Sequence, residues 1–189
     1  DATLGRLTFT TELRALKDCD IVIEAVTEDL DLKNGMWREL DGLCPATTIF
    51  ASNTSSLTIA AMAAATKRAD RFVGLHFFNP VPLMPLVEVV RTVTTSQETF
   101  DRACTFGRSL GKEAIAAKDN SGFIVNLLLV PYLLDAIRAL EQGVGRRDRL
   151  AHTFEALRQA AQDGQATRRR VGLKLWGRHL VGRFGRRLV

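Results

Sequence analysis

Cysteine is scarce: Cys19, Cys44 and Cys104 are the only three in 189 residues. They are odd in number, widely spaced and without a C-x-x-C pair. That excludes a disulfide frame and a cysteine-based zinc site, and no metal site is expected. The three read as buried or incidental thiols of a reducing compartment, the cytoplasm. No run reaches the ~18 apolar residues of a membrane helix. The opening DATLGRLTFTTEL lacks a charged segment followed by an apolar one, so it is not expected to be a secretory signal. No G-x-G-x-x-G turn occurs. Gly143-Val144-Gly145 is followed by arginines and preceded by nothing strand-like. The glycine-rich turn that brings helix amides to a pyrophosphate is therefore missing.

What is present suits a globular chain, with 46% hydrophobic residues. The length allows one domain, or one and a fraction. The net charge of +5 hides an asymmetry. Residues 146–189 carry 12 Lys and Arg against 3 Asp and Glu, a balance of +9, and the rest carries 14 against 18, or −4. A mildly acidic body and a basic tail place a boundary near Gly145.

Thr11–Asp18 reads as a short helix with Leu13 and Leu16 on one side. Asp20–Val26 is a nearly continuous apolar run, the pattern of a parallel strand buried on both faces. Leu30–Leu43 has apolar positions at Leu32, Met36, Leu40 and Leu43, which predicts an amphipathic helix. A strand over Thr48–Ala51, a helix near 57–65 and a strand over Arg71–Leu75 follow. Pro85–Val90 reads as a strand, Gln97–Leu110 as a helix closed by Gly111, and Glu113–Ala117 as a last strand. This alternation predicts an α/β fold with a parallel sheet and helices packed on it. From Asn120 the texture changes. Gly122–Leu140 is densely apolar, which predicts a long, mostly buried helix bent near Pro131.

The polar residues suited to chemistry cluster between Thr48 and Val90. One strand runs into Ser52-Asn53-Thr54-Ser55-Ser56, and another into His76-Phe77-Phe78-Asn79-Pro80. In open α/β sheets, ligands bind beyond the carboxyl ends of strands. Ser55 or Ser56 equally suits the N-cap of the helix that follows, and a lone His after a strand is often just a hydrogen-bonded residue. Glu88 is different. A carboxylate among Leu86, Val87, Val89 and Val90 costs several kcal/mol unless paired or neutralised. His76 is its nearest candidate partner, and a His–carboxylate pair sets the imidazole tautomer and raises its basicity.

These blocks, SNTSSL, GLHFFNPVPLMPLVEVV and DNSGFIVNLLLVPYLLDAIRALEQGVG, together with DIVIEAVTEDLDLK, resemble the L-3-hydroxyacyl-CoA dehydrogenases, NAD-dependent enzymes of fatty-acid β-oxidation. The likeness runs from about Leu7 to Gly145, roughly three quarters of the chain. It implies a partial Rossmann-type sheet over 1–118 and the first helix of an all-helical substrate and dimerisation domain over 119–145. It also implies that the chain is a fragment lacking the first βαβ unit, which would bind NAD weakly or not at all. For catalysis it implies His76 as general base and Glu88 as its orienting acid, with Ser55 and Asn126 on the reacting oxygen. For the cofactor NAD it implies Glu28, Lys33, Ser55 and Asn79. Read without the resemblance, Glu28 and Lys33 are a solvated pair at a helix start. Leu127 departs from the family, where a basic residue is common. The implied partners are an acyl-CoA substrate and a second copy in a homodimer.

Two other classes stay open: a dehydrogenase of a free hydroxy acid on the same scaffold, and a non-catalytic remnant. Past Gly145 the chain leaves the family pattern. Leu150–Ala161 suits an amphipathic helix, with Leu150, Phe154, Leu157 and Ala161 on one face. The remainder is rich in Arg and Gly. It reads as a solvated extension, as the product of a shifted reading frame, or as a binder of nucleic acid or an anionic surface.

Overall fold

The computed structural model describes residues 4–146 together with 148, 149 and 152. The helix expected over Leu150–Ala161 lies, His152 apart, outside the described residues. The chain divides into two compact units, Asp1–Pro131 and Tyr132–Val189.

Five strands form one sheet in chain order: β1 (Ile21–Glu24), β2 (Ile49–Ser52), β3 (Phe72–Phe77), β4 (Leu86–Arg91) and β5 (Glu113–Lys118). Helix α1 (Leu30–Leu43) joins β1 to β2, α2 (Ile59–Ala63) joins β2 to β3, and α3 (Gln97–Ser109) joins β4 to β5. Asp29 caps α1 by accepting from the Leu32 N–H, and Ser96 caps α3 by accepting from the Thr99 N–H. The expected short helix near residue 13 is a single 3-10 turn, Leu13–Leu16.

The sheet is mostly parallel, as the alternation of elements predicts, with one departure. β1, β2 and β3 are parallel, β4 runs antiparallel to β3, and β5 is parallel to β4. The reason is local. Only residues 78–85 separate β3 from β4, too short a link for the crossover that a parallel pair needs. The register pairs His76 with Glu88 directly, so both side chains leave the sheet on one face. His76 is also inside β3, where the sequence reading ends the strand at Leu75.

The core lies on both faces of the sheet. Trp37, Leu40, Ile59 and Met62 of α1 and α2 pack with Phe50, Phe72 and Val90 on one side. Ala103 and Cys104 of α3 pack with Ala51, Val73 and Val89 on the other. The Trp37 ring centroid lies 4.9 Å from those of both Phe50 and Phe72. Gly74 lets α2 approach the sheet. A Cβ there would meet Val90 Cβ at 2.7 Å and Ile59 Cδ1 at 2.9 Å. Gly74→Ala is therefore expected to destabilise the fold by about 1–3 kcal/mol, the usual cost of overpacking, measurable by thermal or urea unfolding.

Three expectations are corrected by packing. The buried stripe of α1 is Lys33, Trp37 and Leu40, while Leu32 is 52% exposed. The helix turns a face one residue away from the apolar pattern, because a carboxylate of β1 neutralises Lys33 and makes its burial possible. β1 is not buried on both faces: it alternates, with Ile23 exposed, and it is an edge strand of this sheet. Helix α4 (Val125–Glu141) continues through Pro131, and none of its residues is buried. Leu128 is 68% exposed. Apolar composition states what a helix would bury, not what is there to cover it. Among the described residues no helix is long and apolar enough to cross a membrane.

Candidate active site

The side chains at the ends of β1, β2 and β3 form one connected set. Glu88 is fully buried and His76 nearly so. Glu88 Oε2 lies 2.7 Å from His76 Nδ1, and Oε1 accepts from the Ile124 and Val125 N–H groups at 2.9 and 3.0 Å. Two backbone donors hold the carboxylate as an acceptor, so it takes the Nδ1–H and leaves the Nε2 lone pair free. That nitrogen lies 3.0 Å from Ser55 Oγ. The result is a line, Glu88–His76–Ser55, whose buried end is an acid and whose exposed end is a hydroxyl. The rings of Phe78 and Phe123 flank the imidazole, with centroids at 4.6 and 5.5 Å.

Asn126 sits beside this line and donates from Nδ2 to the Ser55 carbonyl at 3.3 Å. Asn79 is exposed just past β3. Asn53, just past β2, accepts from the Phe77 N–H at 2.8 Å and ties the loop after β2 to the end of β3.

Ser55 and Ser56 do not cap the next helix, contrary to one expectation. The N-cap of α2 is Thr58, without a side-chain bond. The Asp119 carboxylate takes that role from afar, accepting from Ile59 and Ala60 N–H at 2.8 and 2.7 Å. This frees Ser55 for His76.

Glu28 and Lys33 are not a solvated pair. Lys33 is 1% exposed, and its ammonium meets Glu24 Oε1 at 2.5 Å, the Val26 carbonyl at 3.2 Å and Glu28 Oε2 at 3.3 Å. Glu28 accepts from the Ser55 N–H at 2.8 Å and from the Thr54 hydroxyl. Burial pushes the Glu28 carboxyl up, but the Ser55 N–H, the Thr54 hydroxyl and Lys33 outweigh it, and the group titrates below its ordinary 4.5. A depressed folded-state value contributes stability above the unfolded value, and this is lost as pH falls through the folded one. Wild type and Glu28→Gln should therefore differ in melting temperature at neutral pH and converge as pH drops below about 4.5.

Glu24 and Asp119 escaped the sequence reading, and Ser52 and Thr54 stood in its polar cluster without a role. Glu24 carried the same signal as Glu88, a carboxylate inside an apolar strand. All three cysteines are free. Burial pushes the Cys44 and Cys104 thiols up, so neither is a ready nucleophile. Among the described residues no cluster of three or more His, Cys, Asp or Glu could hold a metal. A cavity of about 750 Å³ is lined by Ala60, Arg91, Phe100, Lys118 and Asp119 among others, and none of the site residues expected from the sequence lines it.

Residues 1–120 match the family model described as 3-hydroxyacyl-CoA dehydrogenase, NAD binding domain. The chain belongs to this family. It is 51% identical to human mitochondrial hydroxyacyl-coenzyme A dehydrogenase over 144 residues, 76% of this chain and 46% of that protein. It is 52% identical to a 3-hydroxybutyryl-CoA dehydrogenase of Mycobacterium tuberculosis over 145 residues, 76% of this chain and 51% of that protein. The crystal structure of (S)-3-hydroxybutyryl-CoA dehydrogenase from Ralstonia eutropha is similar, with a TM-score of 0.76 and 43% identity, over 78% of this chain and 52% of that one. The chain thus spans about half the length of these 3-hydroxyacyl-CoA dehydrogenase relatives.

Proposed function

We propose that this chain carries the proton-transfer centre of an NAD-dependent dehydrogenase that oxidises an L-3-hydroxyacyl-CoA to the 3-ketoacyl-CoA, a step of fatty-acid β-oxidation. The observation that carries the reading is the Glu88–His76–Ser55 line. An alcohol cannot give up hydride unless its proton also leaves, and an imidazole near neutrality is suited to receive it. His76 Nε2 takes the hydroxyl proton. Glu88 holds the ring and stabilises the imidazolium. Ser55 and Asn126 hydrogen-bond the reacting oxygen and keep it beside Nε2, a gain of proximity and not of proton transfer. NAD, when bound, supplies the hydride acceptor.

The chain's residues suit the nicotinamide end of that cofactor. Glu28, Ser55 and Asn79 are exposed polar groups, and Ser55 meets the buried base directly. Lys33 has three acceptors of the chain around its ammonium and serves the cofactor through Glu28. Nothing in the sequence suits the pyrophosphate. Titration of this chain with NADH, followed by fluorescence, is expected to give no micromolar binding; micromolar binding would show that the residues present hold the cofactor without a glycine-rich turn. Three free thiols suit a reducing compartment, the cytoplasm on this reading. Exposed Leu133 and Ile137, one turn apart on α4, support a homodimer. Replacing both with Asp should leave a monomer by analytical ultracentrifugation.

The decisive experiment is a chimera in which residues 7–145 replace their counterparts in the mycobacterial 3-hydroxybutyryl-CoA dehydrogenase. NADH formation from 3-hydroxybutyryl-CoA is expected. Formation from free 3-hydroxybutyrate alone would favour the free-acid alternative. A folded chimera that binds NAD and is inactive on both would sink the enzymatic reading.

A further inference from the structure

We propose that Glu24 is a positioning residue, which together with Lys33 sets the Ser55 hydroxyl against His76. The proposal rests on the dehydrogenase reading of that pair. Glu24 is 3% exposed. Its Oε1 accepts from Lys33 Nζ at 2.5 Å and from the Val26 N–H at 2.7 Å, and its Oε2 accepts from Ser52 Oγ at 2.6 Å. Two routes lead from it to the catalytic loop. Through Ser52, whose oxygen accepts from the Thr54 N–H at 3.3 Å, it holds the residue before Ser55. Through Lys33 it holds Glu28, whose Oε1 accepts from the Ser55 N–H at 2.8 Å. One buried ammonium, through Glu24 and Glu28, thus links β1 and α1 to the loop after β2.

The charge balance explains why Glu24 is needed. Lys33 has two carboxylates within reach, one buried and one 42% exposed on its side chain. Glu24 compensates the buried charge. With that charge compensated, Glu28 stays 3.3 Å from the ammonium and still accepts from Thr54 and Ser55. Without Glu24, the ammonium has only Glu28 to pair with, and Glu28 is drawn from the Ser55 N–H. The hydroxyl then loses its place 3.0 Å from Nε2.

Imidazole-nitrogen NMR of the full chain tests this, because only three histidines are present and His76→Gln identifies the relevant signal. Glu24→Gln alone strands a buried charge, so the paired variant Glu24→Gln/Lys33→Met is used, with Ser52→Ala as a second variant that leaves the charge pair intact. Both are expected to unfold cooperatively on heating and to show a displaced His76 Nε2 signal, the result also expected of Ser55→Ala. A cooperative melt with an unmoved Nε2 signal in either variant would overturn the proposal and reduce the cluster to scaffolding. If the paired variant fails to fold, Ser52→Ala alone decides by the same criterion. The readout needs no catalysis. An active chimera with an unmoved signal removes the positioning role only, and an inactive chimera with a displaced signal removes the dehydrogenase reading and supports the positioning role.

Discussion

His76→Gln in the chimeric dehydrogenase is expected to lower turnover by at least about 10²- to 10⁴-fold, the usual contribution of a general base, with NAD affinity largely unchanged. Gln fills a similar volume and keeps an acceptor and a donor, but it cannot take up a proton at neutral pH. His76 lies in β3 with its ring between Glu88 and Ser55, and its backbone contributes to the sheet whatever the side chain. Steady-state rates and a cofactor titration on the same protein separate the two effects. Equal losses of turnover and cofactor binding would assign His76 to architecture.

Glu88 gives the second large effect, and two replacements separate its roles. Glu88→Ala removes the acceptor for Ile124 N–H, Val125 N–H and His76 Nδ1. Each unpaired buried donor costs about 1–3 kcal/mol, so the fold should lose several kcal/mol in urea unfolding. Glu88→Gln should fold far better, because its amide oxygen can still serve the two backbone donors. Its NH₂ then faces Nδ1, where a donor cannot meet a donor. The ring must switch tautomer, and the proton moves to Nε2, the atom proposed to receive the substrate's. Turnover in the chimera is expected to fall by about 10⁴-fold, the scale of a wrong-tautomer histidine elsewhere. A Glu88→Gln protein with near-normal turnover would show that the carboxylate does not set the tautomer.

Both variants act on a residue that stands out in the bare sequence. A carboxylate between Val87 and Val89 is a physical anomaly wherever the strand lies, and it demands a partner. Glu24 in β1 is the same anomaly, but the pattern did not single it out. Its partner Lys33 was hidden inside an apparently regular amphipathic helix. Read from apolar spacing, α1 buries Leu32, and read from the fold it buries Lys33. Spacing cannot see that a charge from a neighbouring strand cancels another.

The sequence alone determined the order and kind of the elements from β1 to α4, the polar cluster Ser52–Ser56 and the pairing demand at Glu88. These follow from periodicity, turn chemistry and the cost of burying charge, which act over a few residues. Only the tertiary structure decided that β4 turns back against β3, so that residue 76 meets residue 88 in register. It alone decided that Asp119 caps α2, that Lys33 is buried, and that α4 stands exposed. The polar pairings among these join groups on different elements, and a polar group's partner is chosen by where the backbone carries it, which no local pattern encodes.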